Sequence, residues 1–143
     1  MRAREYLSQY IDIRCEIIRI KVVIEEIRAD AEMLSGDIES ERVQTSRKYD
    51  KMADYVAKMA DKTEELSRKE LAMYHILVDI EHTIDQIKST TIRQVLTHRY
   101  MITKDGKQLT WEEVASAINR SARDCQRYEQ KGVREVEKLL SKN

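Results

Sequence analysis

The sequence predicts an all-α protein in which a long antiparallel coiled-coil helical hairpin is followed by a small helix-turn-helix module. The chain has 143 residues with no Pro, three Gly and no Phe, and 36% of the residues are charged. Few turn-forming residues and many charged ones favour long helices with solvated outer faces. Apolar residues recur at alternating steps of four and three along two stretches, and two N-cap signals lie close together near the carboxyl end.

The first stretch of recurring apolar residues, the first seam, predicts a helix over about residues 3–35. A repeat of 3.5 residues returns one face of a helix to a partner helix, as in a coiled coil. Gly36 interrupts the pattern, and because Gly is common just past a helix end, residues 36–46 are expected to form a loop. Further apolar residues at Ile11, Ile18, Val22 and Val23 widen the seam and predict more than one partner helix there. The seam residues are Tyr6, Tyr10, Ile13, Ile17, Ile20, Ile24, Ile27, Ala31, Leu34 and Ile38.

The second seam predicts a helix over about residues 47–88. Thr63 and Glu70 are polar insertions, which cost stability but select one register. A short loop lets the two long helices fold back as an antiparallel hairpin. Two helices bury little surface alone, so the hairpin is expected to form a homodimer through the coiled coil or to pack on the carboxyl-terminal helices. The seam residues are Met52, Val56, Met59, Thr63, Leu66, Glu70, Met73, Leu77, Ile80, Ile84 and Ile87.

A third, short helix is predicted between the hairpin and the helix-turn-helix. The residues 88–91 indicate a hinge or a fresh helix start, and the helix is expected to end near Met101. Asp105-Gly106 predicts a turn within the loop that follows. One face of this helix would pack behind the helix-turn-helix, and it consists of Ile92, Val95, Leu96 and Tyr100.

The stretch from Leu109 to Leu140 carries the helix-turn-helix pattern. Thr110 with Glu113, and Ser121 with Asp124, each have the spacing of a capping box. The first helix is short, Asn119-Arg120 interrupts it, and the second helix is longer. Two unrelated surface helices remain the alternative, and many such motifs pack helices without touching DNA. The apolar positions are Val114, Ala115 and Ile118, and then Cys125, Tyr128, Gly132, Val133, Val136, Leu139 and Leu140.

Charge divides the chain into predicted domains of residues 1–88 and 89–143. The formal net charge is zero, so a globally basic protein is excluded. However, residues 1–87 contain 14 basic and 19 acidic residues, a net charge of −5, whereas residues 88–143 contain 12 and 7, a net charge of +5. A basic module on an acidic stalk is the asymmetry that a DNA-binding end requires.

If the second helix enters a major groove, its outward positions near the N-terminus reach base edges. Arg pairs with guanine, Gln pairs with adenine, and an Ala methyl packs on thymine. The predicted base contacts are Ala122, Arg123, Gln126, Arg127 and Gln130. The predicted phosphate contacts, which position the module, are Arg99, Lys104, Lys107, Arg120, Lys131 and Arg134.

No enzyme, metal or cofactor is expected. Asp79 and His82 have the i, i+3 spacing of a metal pair in a helical bundle, but such a site needs two pairs and further carboxylates. Phosphate-binding glycine loops and nucleophile motifs are absent from the sequence. The distant Cys15 and Cys125 predict reduced thiols in a cytoplasm, with Cys125 a small core residue. Neither a membrane span nor a targeting segment is expected.

Leu109–Leu140 resembles the fourth region of bacterial primary sigma factors, whose helix-turn-helix reads the upstream promoter element. The resemblance implies that Arg123, Gln126 and Arg127 read bases, and Ala122 occupies a place where sigma factors often have Arg. The residues that carry it are Thr110, Glu112-Glu113-Val114-Ala115, Ile118-Asn119, Ser121, Arg127, Tyr128-Glu129 and the closing Leu pair.

Nearly the whole chain resembles small proteins encoded by phages and prophages of Gram-positive bacteria, related to ArpU-like and RinA-like late-gene regulators. A helical N-terminal half is the first feature that carries the likeness. Three segments complete it: Arg42-Val43-Gln44-Thr45-Ser46 leading into Asp50-Lys51-Met52-Ala53, Leu96-Thr97-His98-Arg99-Tyr100, and Trp111-Glu112-Glu113-Val114-Ala115.

The resemblance implies a sigma-like transcription regulator that binds double-stranded DNA in the bacterial host cytoplasm, with host RNA polymerase as a further partner. Nothing in the chain is like the aromatic-rich sigma region that melts promoters, so it could not replace a full sigma factor. Two alternatives remain open. One is a phage DNA-packaging recognition subunit, and the other is a coiled-coil structural or adaptor protein without DNA binding.

Overall fold

The computed structural model describes residues 2–40 and 45–142, and within them the side chains of residues 2–34, 47 and 49–142. The fold is all-α, as predicted. Five helices and one two-residue strand pair follow each other along the described chain. In order they are α1 (Ala3–Ser40), α2 (Thr45–Asp85), α3 (Thr90–Tyr100), β1 (Thr103–Lys104), β2 (Lys107–Gln108), α4 (Trp111–Ile118) and α5 (Ala122–Ser141).

The chain divides into two compact units. Unit 1 contains Met1–Cys15 and Ala72–Asn143, and unit 2 contains Glu16–Leu71. This division differs from the predicted boundary between residues 88 and 89. The reason is that the first turns of α1 and the last turns of α2 pack together with α3, α4 and α5.

In unit 2, α1 and α2 are antiparallel. Glu16 binds Lys69 at 2.7 Å between Oε2 and Nζ, whereas Ile27 and Ala31, further along α1, line a groove with Met59, earlier in α2. Rising residue numbers on α1 thus meet falling numbers on α2. The inner residues of α1 match the predicted seam, since Ile17, Ile20 and Ile24 are buried and Ile27, Ala31 and Leu34 are half-buried.

The predicted seam of α2 is wrong at two positions. Val56 is 63% exposed and Thr63 is also exposed, while Tyr55 and Lys62 are half-buried in their places. Both sets of positions follow steps of three and four, so the pattern does not choose between them. Lys62 can lie beside the seam because its alkyl stem covers apolar surface while its ammonium binds Glu65 at 3.1 Å.

The predicted end of the first helix at Gly36 is also wrong, because α1 continues to Ser40. One interior Gly costs a helix about 1 kcal/mol relative to Ala, which is too little to end a long helix that packs elsewhere along its length. The predicted loop of residues 36–46 is therefore wrong for 36–40, and also for Thr45 and Ser46, which begin α2. Residues 41–44, and the side chain of Ile38 in the first seam, lie outside the described part of the chain.

In unit 1, the first residues of α1 pack against the end of α2. The Tyr6 hydroxyl bonds to Asp79 Oδ2 at 2.6 Å and to Thr83 Oγ1 at 2.8 Å. Burial and the hydrogen bond to Asp79 raise the pKa of Tyr6 to about 12. The surrounding core comes from α1, α2, α3, α5 and the connection between α2 and α3, and its largest fully buried side chains are Leu7, Ile80, Ile87, Leu96, Val95 and Val136.

Helix α3 begins where residues 88–91 predicted a fresh start. The Ser89 hydroxyl accepts a hydrogen bond from the Ile92 N–H as the N-cap, and the helix ends at Tyr100. Its four predicted apolar residues are all buried. The predicted loop after it contains a small antiparallel hairpin in which Lys104 pairs with Lys107.

The predicted Asp105-Gly106 turn joins these two strands. Both residues have positive φ, 54° and 76°, which is the backbone of a type I′ turn. Gly106 is buried, and the Cys15 thiol of α1 donates to its carbonyl oxygen at 3.3 Å between Sγ and O. The turn between β1 and β2 therefore packs against α1.

Candidate nucleic-acid interface

Helix α4 begins with a complete capping box. The Thr110 hydroxyl accepts from the Glu113 N–H at 3.2 Å, and the Glu113 carboxylate accepts from the Thr110 N–H at 3.0 Å. That second bond lowers the pKa of Glu113. The two bonds satisfy backbone donors that the first turn of a helix leaves free. The sequence prediction of this box is confirmed.

A tight turn separates α4 from α5. Asn119 ends α4 in the left-handed conformation, with φ of 57° and ψ of 50°, which Asn adopts more readily than most residues. Ser121 then caps α5 by accepting from the Asp124 N–H at 3.1 Å. The predicted second capping box is wrong in its other half, because the Asp124 carboxylate binds Arg127 Nη2 at 3.2 Å. Asp has a side chain one methylene shorter than the Glu that completes such a box.

The inner faces of α4 and α5 meet in a small apolar cluster. Leu109, Val114 and Cys125 are buried there, and Trp111, Ala115 and Ile118 pack around them. Cys125 is fully buried, so the prediction that it is a core residue is confirmed, and this burial raises the pKa of its thiol. This cluster fixes α4 against the first two turns of α5.

Further along, α5 lies unusually close to α3. A methyl group built on Gly132 would come within 2.9 Å of Ile92 Cγ2 and Leu96 Cδ1. The absence of a side chain at this position is what allows the two helices to approach so closely. Gly132 belongs to the apolar face predicted from the sequence, but periodicity alone does not identify this contact with α3.

The outer face of α5 carries the predicted base-contacting residues. Arg123, Gln126, Arg127 and Gln130 are exposed, and Ala122 is half-buried. All five belong to the first nine residues of α5, and the buried residues Cys125, Glu129 and Val133 lie between and beyond them in sequence. The structure therefore brings these side chains to one exposed face, while their role in base contact stays a prediction.

The predicted phosphate-contacting residues fall into three groups. Arg120 and Lys131 lie over the Tyr128 ring at 5.3 and 5.5 Å from its centroid. Lys107 and Arg134 are exposed. Arg99 and Lys104 make internal contacts, as described next. These six cations belong to α3, the β-hairpin, the turn before α5 and α5 itself.

Arg99 and Lys104 join the β-hairpin and α3 to α4. The Arg99 guanidinium lies 4.2 Å from the Trp111 ring centroid and also donates to the Leu109 carbonyl oxygen. Lys104 binds Glu113 Oε2 at 3.4 Å and remains largely exposed. Cation–π and carbonyl contacts give Arg99 a structural role in addition to its predicted contact with phosphate.

Sequence reasoning missed the role of Glu129. This glutamate is 5% exposed, although acidic side chains are almost never buried without a partner. Arg4 donates to both of its carboxylate oxygens, at 3.1 and 3.2 Å, and the Tyr100 hydroxyl donates at 2.7 Å. Burial and this hydrogen bond raise the pKa of Tyr100, and the bond to Glu129 raises that of Arg4. The available signal of burial was the position of Glu129 in α5, four residues after Cys125 and four before Val133.

The described part of the chain contains no group of three or more His, Cys, Asp or Glu side chains placed to hold a metal ion. No described helix is both long and apolar enough to cross a membrane. Comparison with known proteins gives no match to a protein-family model, a curated protein or a solved structure.

Proposed function

We propose that the protein binds double-stranded DNA in a sequence-specific manner and regulates the transcription of phage genes. The observation that carries the proposal is the capped α4–turn–α5 pair, whose second helix is buried on one side and exposes Arg123, Gln126, Arg127 and Gln130 on the other. A helix presented in this way matches the reading helix of a helix-turn-helix protein. The predicted phosphate-contacting cations would supply the sequence-independent attraction to phosphate.

The residues support readout of bases better than simple attraction to an anion. Gln126 and Gln130 alternate with Arg123 and Arg127 on the exposed face, and amide and guanidinium groups make the paired hydrogen bonds that distinguish adenine and guanine in the major groove. Arg127 already binds Asp124, an exposed pair that contributes little to stability. This contact holds the guanidinium near the N-terminal end of α5, and DNA can displace it at small cost.

Selection from a random DNA pool, followed by measurement of affinity across salt concentration, tests the proposal. The expected result is an enriched site and a logarithmic affinity that falls with the logarithm of salt at about −0.9 per phosphate neutralised. Replacing Gln126 or Arg123 with Ala should cost about 1–3 kcal/mol and relax selectivity at one base pair. Arg68→Ala, an exposed change in unit 2, is the matched control. Absence of binding at low salt contradicts the proposal and favours a coiled-coil structural or adaptor protein.

The proposal includes a homodimer formed through the coiled coil and contact with host RNA polymerase. Exposed apolar side chains in unit 2 support self-association where they lie side by side, as Ile18 and Val22 do one turn apart on α1. They include Ile18, Val22, Val56 and Leu71. A second candidate is a phage DNA-packaging recognition subunit, which would also use these apolar side chains for self-association. Mass measurement in solution separates them, since two copies favour regulation and a ring of many copies favours packaging.

A further inference from the structure

Glu129 occupies the middle of the proposed reading helix and is its most directionally constrained side chain. Its two carboxylate oxygens accept three hydrogen bonds, from Arg4 Nε, Arg4 Nη2 and Tyr100 Oη. Two parallel bonds from one planar guanidinium to one carboxylate fix both the distance between the two groups and their relative orientation. Glu129 is thus a fixed point on α5.

The donors come from two elements outside the helix-turn-helix. Arg4 lies in the first turn of α1 and Tyr100 is the last residue of α3. The start of α1 is itself held in place two residues later, where the Tyr6 hydroxyl bonds to Asp79 and Thr83 of α2. A chain of polar contacts therefore runs from α2 through α1 to α5, all within unit 1.

The position of Glu129 in α5 determines what this fixed point controls. Gln130 follows it directly, and Gln126 precedes it by three residues, close to one turn of helix. The other anchors of α5 are apolar, with Cys125 in the cluster with α4 and Gly132 against α3. Fixing the direction of Glu129 between these two anchors sets the rotation of α5 about its own axis, and so sets where Gln126 and Gln130 point.

We propose that Arg4 is a positioning residue for α5: by holding Glu129 it orders this helix and sets the direction of its exposed face. The first turn of α1 is then part of the unit that would recognise DNA bases. The inference about order concerns α5 itself, and its consequence for base recognition rests on the proposed function. The two parts are tested separately.

Hydrogen exchange of the full chain without DNA tests the first part. Arg4→Ala is expected to speed exchange of backbone amides near residues 126–133 roughly tenfold relative to amides of unit 2, because a hydrogen bond to a charged group contributes about this factor. Arg4→Lys, which keeps the charge but loses the paired geometry, should fall between Arg4→Ala and the natural chain. Arg2→Ala is the matched control, since Arg2 is exposed and precedes α1.

The second part is tested by the ratio of affinities for a selected DNA site and for random DNA, measured well below the melting temperature. Arg4→Lys and Glu129→Gln are expected to lower this ratio roughly tenfold, while Glu137→Gln, at an exposed position of α5, leaves it unchanged. A purely structural role would lower the melting temperature and leave the ratio intact.

The outcomes separate the inference from the proposed function. Unchanged exchange in α5 for both Arg4 variants overturns the positioning role, whatever the DNA result. Faster exchange without any DNA binding retains the ordering of α5 by Arg4 and overturns the proposed function together with the consequence for recognition. If Arg4→Ala fails to fold, Arg4→Lys decides the exchange measurement.

Discussion

Individual residues of unit 1 stabilise it by joining one helix to another. At Gly132 of α5, the side chains of α3 leave no room for an added methyl group. Ala at this position gains about 1 kcal/mol of helix propensity. Its methyl group would, however, approach the buried Ile92 and Leu96 to 2.9 Å, and overpacking of this kind costs about 1–3 kcal/mol.

Gly132→Ala is therefore expected to reduce the free energy of unfolding by about 1 kcal/mol, because the overpacking outweighs the gain in propensity. Urea denaturation followed by circular dichroism measures it. Gln130→Ala, exposed on the same helix, is expected to be neutral or slightly stabilising. A stabilised Gly132→Ala variant would mean that α3 and α5 separate without cost.

The buried tyrosines predict a loss of stability in alkali. The pKa of Tyr6 rises from 10.0 to about 12 on folding, and that of Tyr100 also rises. Because the folded state favours the neutral hydroxyls, their contribution is fully present below pH 10 and is lost as pH increases towards 12.

The free energy of unfolding should accordingly fall between pH 10 and pH 12, and fall less in Tyr6→Phe than in the natural chain. Tyr6→Phe should also lose about 1 kcal/mol at neutral pH, since it removes the hydrogen bonds to Asp79 and Thr83. Thermal melting at several pH values measures both effects. Tyr49→Phe, at an exposed tyrosine, is the control, and an equal alkaline loss in both variants would contradict the assignment.

At the residue scale the sequence predicted burial well for apolar side chains and poorly for charged ones. Cys125, Val114 and the inner residues of α1 follow from periodicity alone. For Glu129 the apolar positions around it in α5 hint at burial, but its partner Arg4 is 125 positions away, and nothing local to α5 identifies that partner. Similarly, Tyr55 and Val56 satisfy the same spacing rule, and only packing against α1 decides between them.

At the scale of single elements, the capping box of α4 and the Ser121 N-cap of α5 are the local features that the sequence predicted most directly. Each needs only residues three apart, so no tertiary information is required. Helix ends without such signals were less predictable. Helix α1 ends five residues later and α2 begins two residues earlier than predicted, because neither Gly36 nor the polar stretch after it is a decisive stop signal. Helix α2 also ends at Asp85, three residues before the predicted end.

Thr110→Ala is expected to destabilise the protein by about 1 kcal/mol, the usual effect of removing an N-cap. Because α4 contains only eight residues, the loss should appear as faster hydrogen exchange in α4 before it appears in α3. Thr63→Ala, an exposed change within α2, is the matched control. Equal stability of the two variants would show that the box observed at α4 does not contribute.

At the scale of the molecule, the ends of the two long helices belong to the same compact unit as the helix-turn-helix, whereas the sequence predicted a boundary between them. Leu7 of α1 and Ile80 of α2 are fully buried within this unit. Each such side chain contributes about 1.5–3 kcal/mol through burial, against a total stability of about 5–15 kcal/mol for a typical protein. Apolar periodicity predicts which face of a helix is buried, but it does not predict contacts between segments that are far apart in sequence.

A fragment of residues 89–143 is therefore expected to lack a cooperative thermal transition, although the same residues form α3, α4 and α5 in the full chain. Circular dichroism during heating and the dispersion of amide proton resonances measure this. The full chain is the reference. A fragment that melts as sharply and at the same temperature as the full chain would show that the hairpin ends are dispensable for folding.

The bond between Arg4 and Glu129 also has a kinetic consequence. Helical proteins generally fold fast because most of their contacts are local, and the rate falls as the mean sequence separation of contacts grows. Arg4 and Glu129 are 125 positions apart, so Arg4 is synthesised well before the carboxylate that it binds. The long helices can form early and independently, whereas closure of unit 1 becomes the slow step, and the ribosome must release α5 before that step can occur.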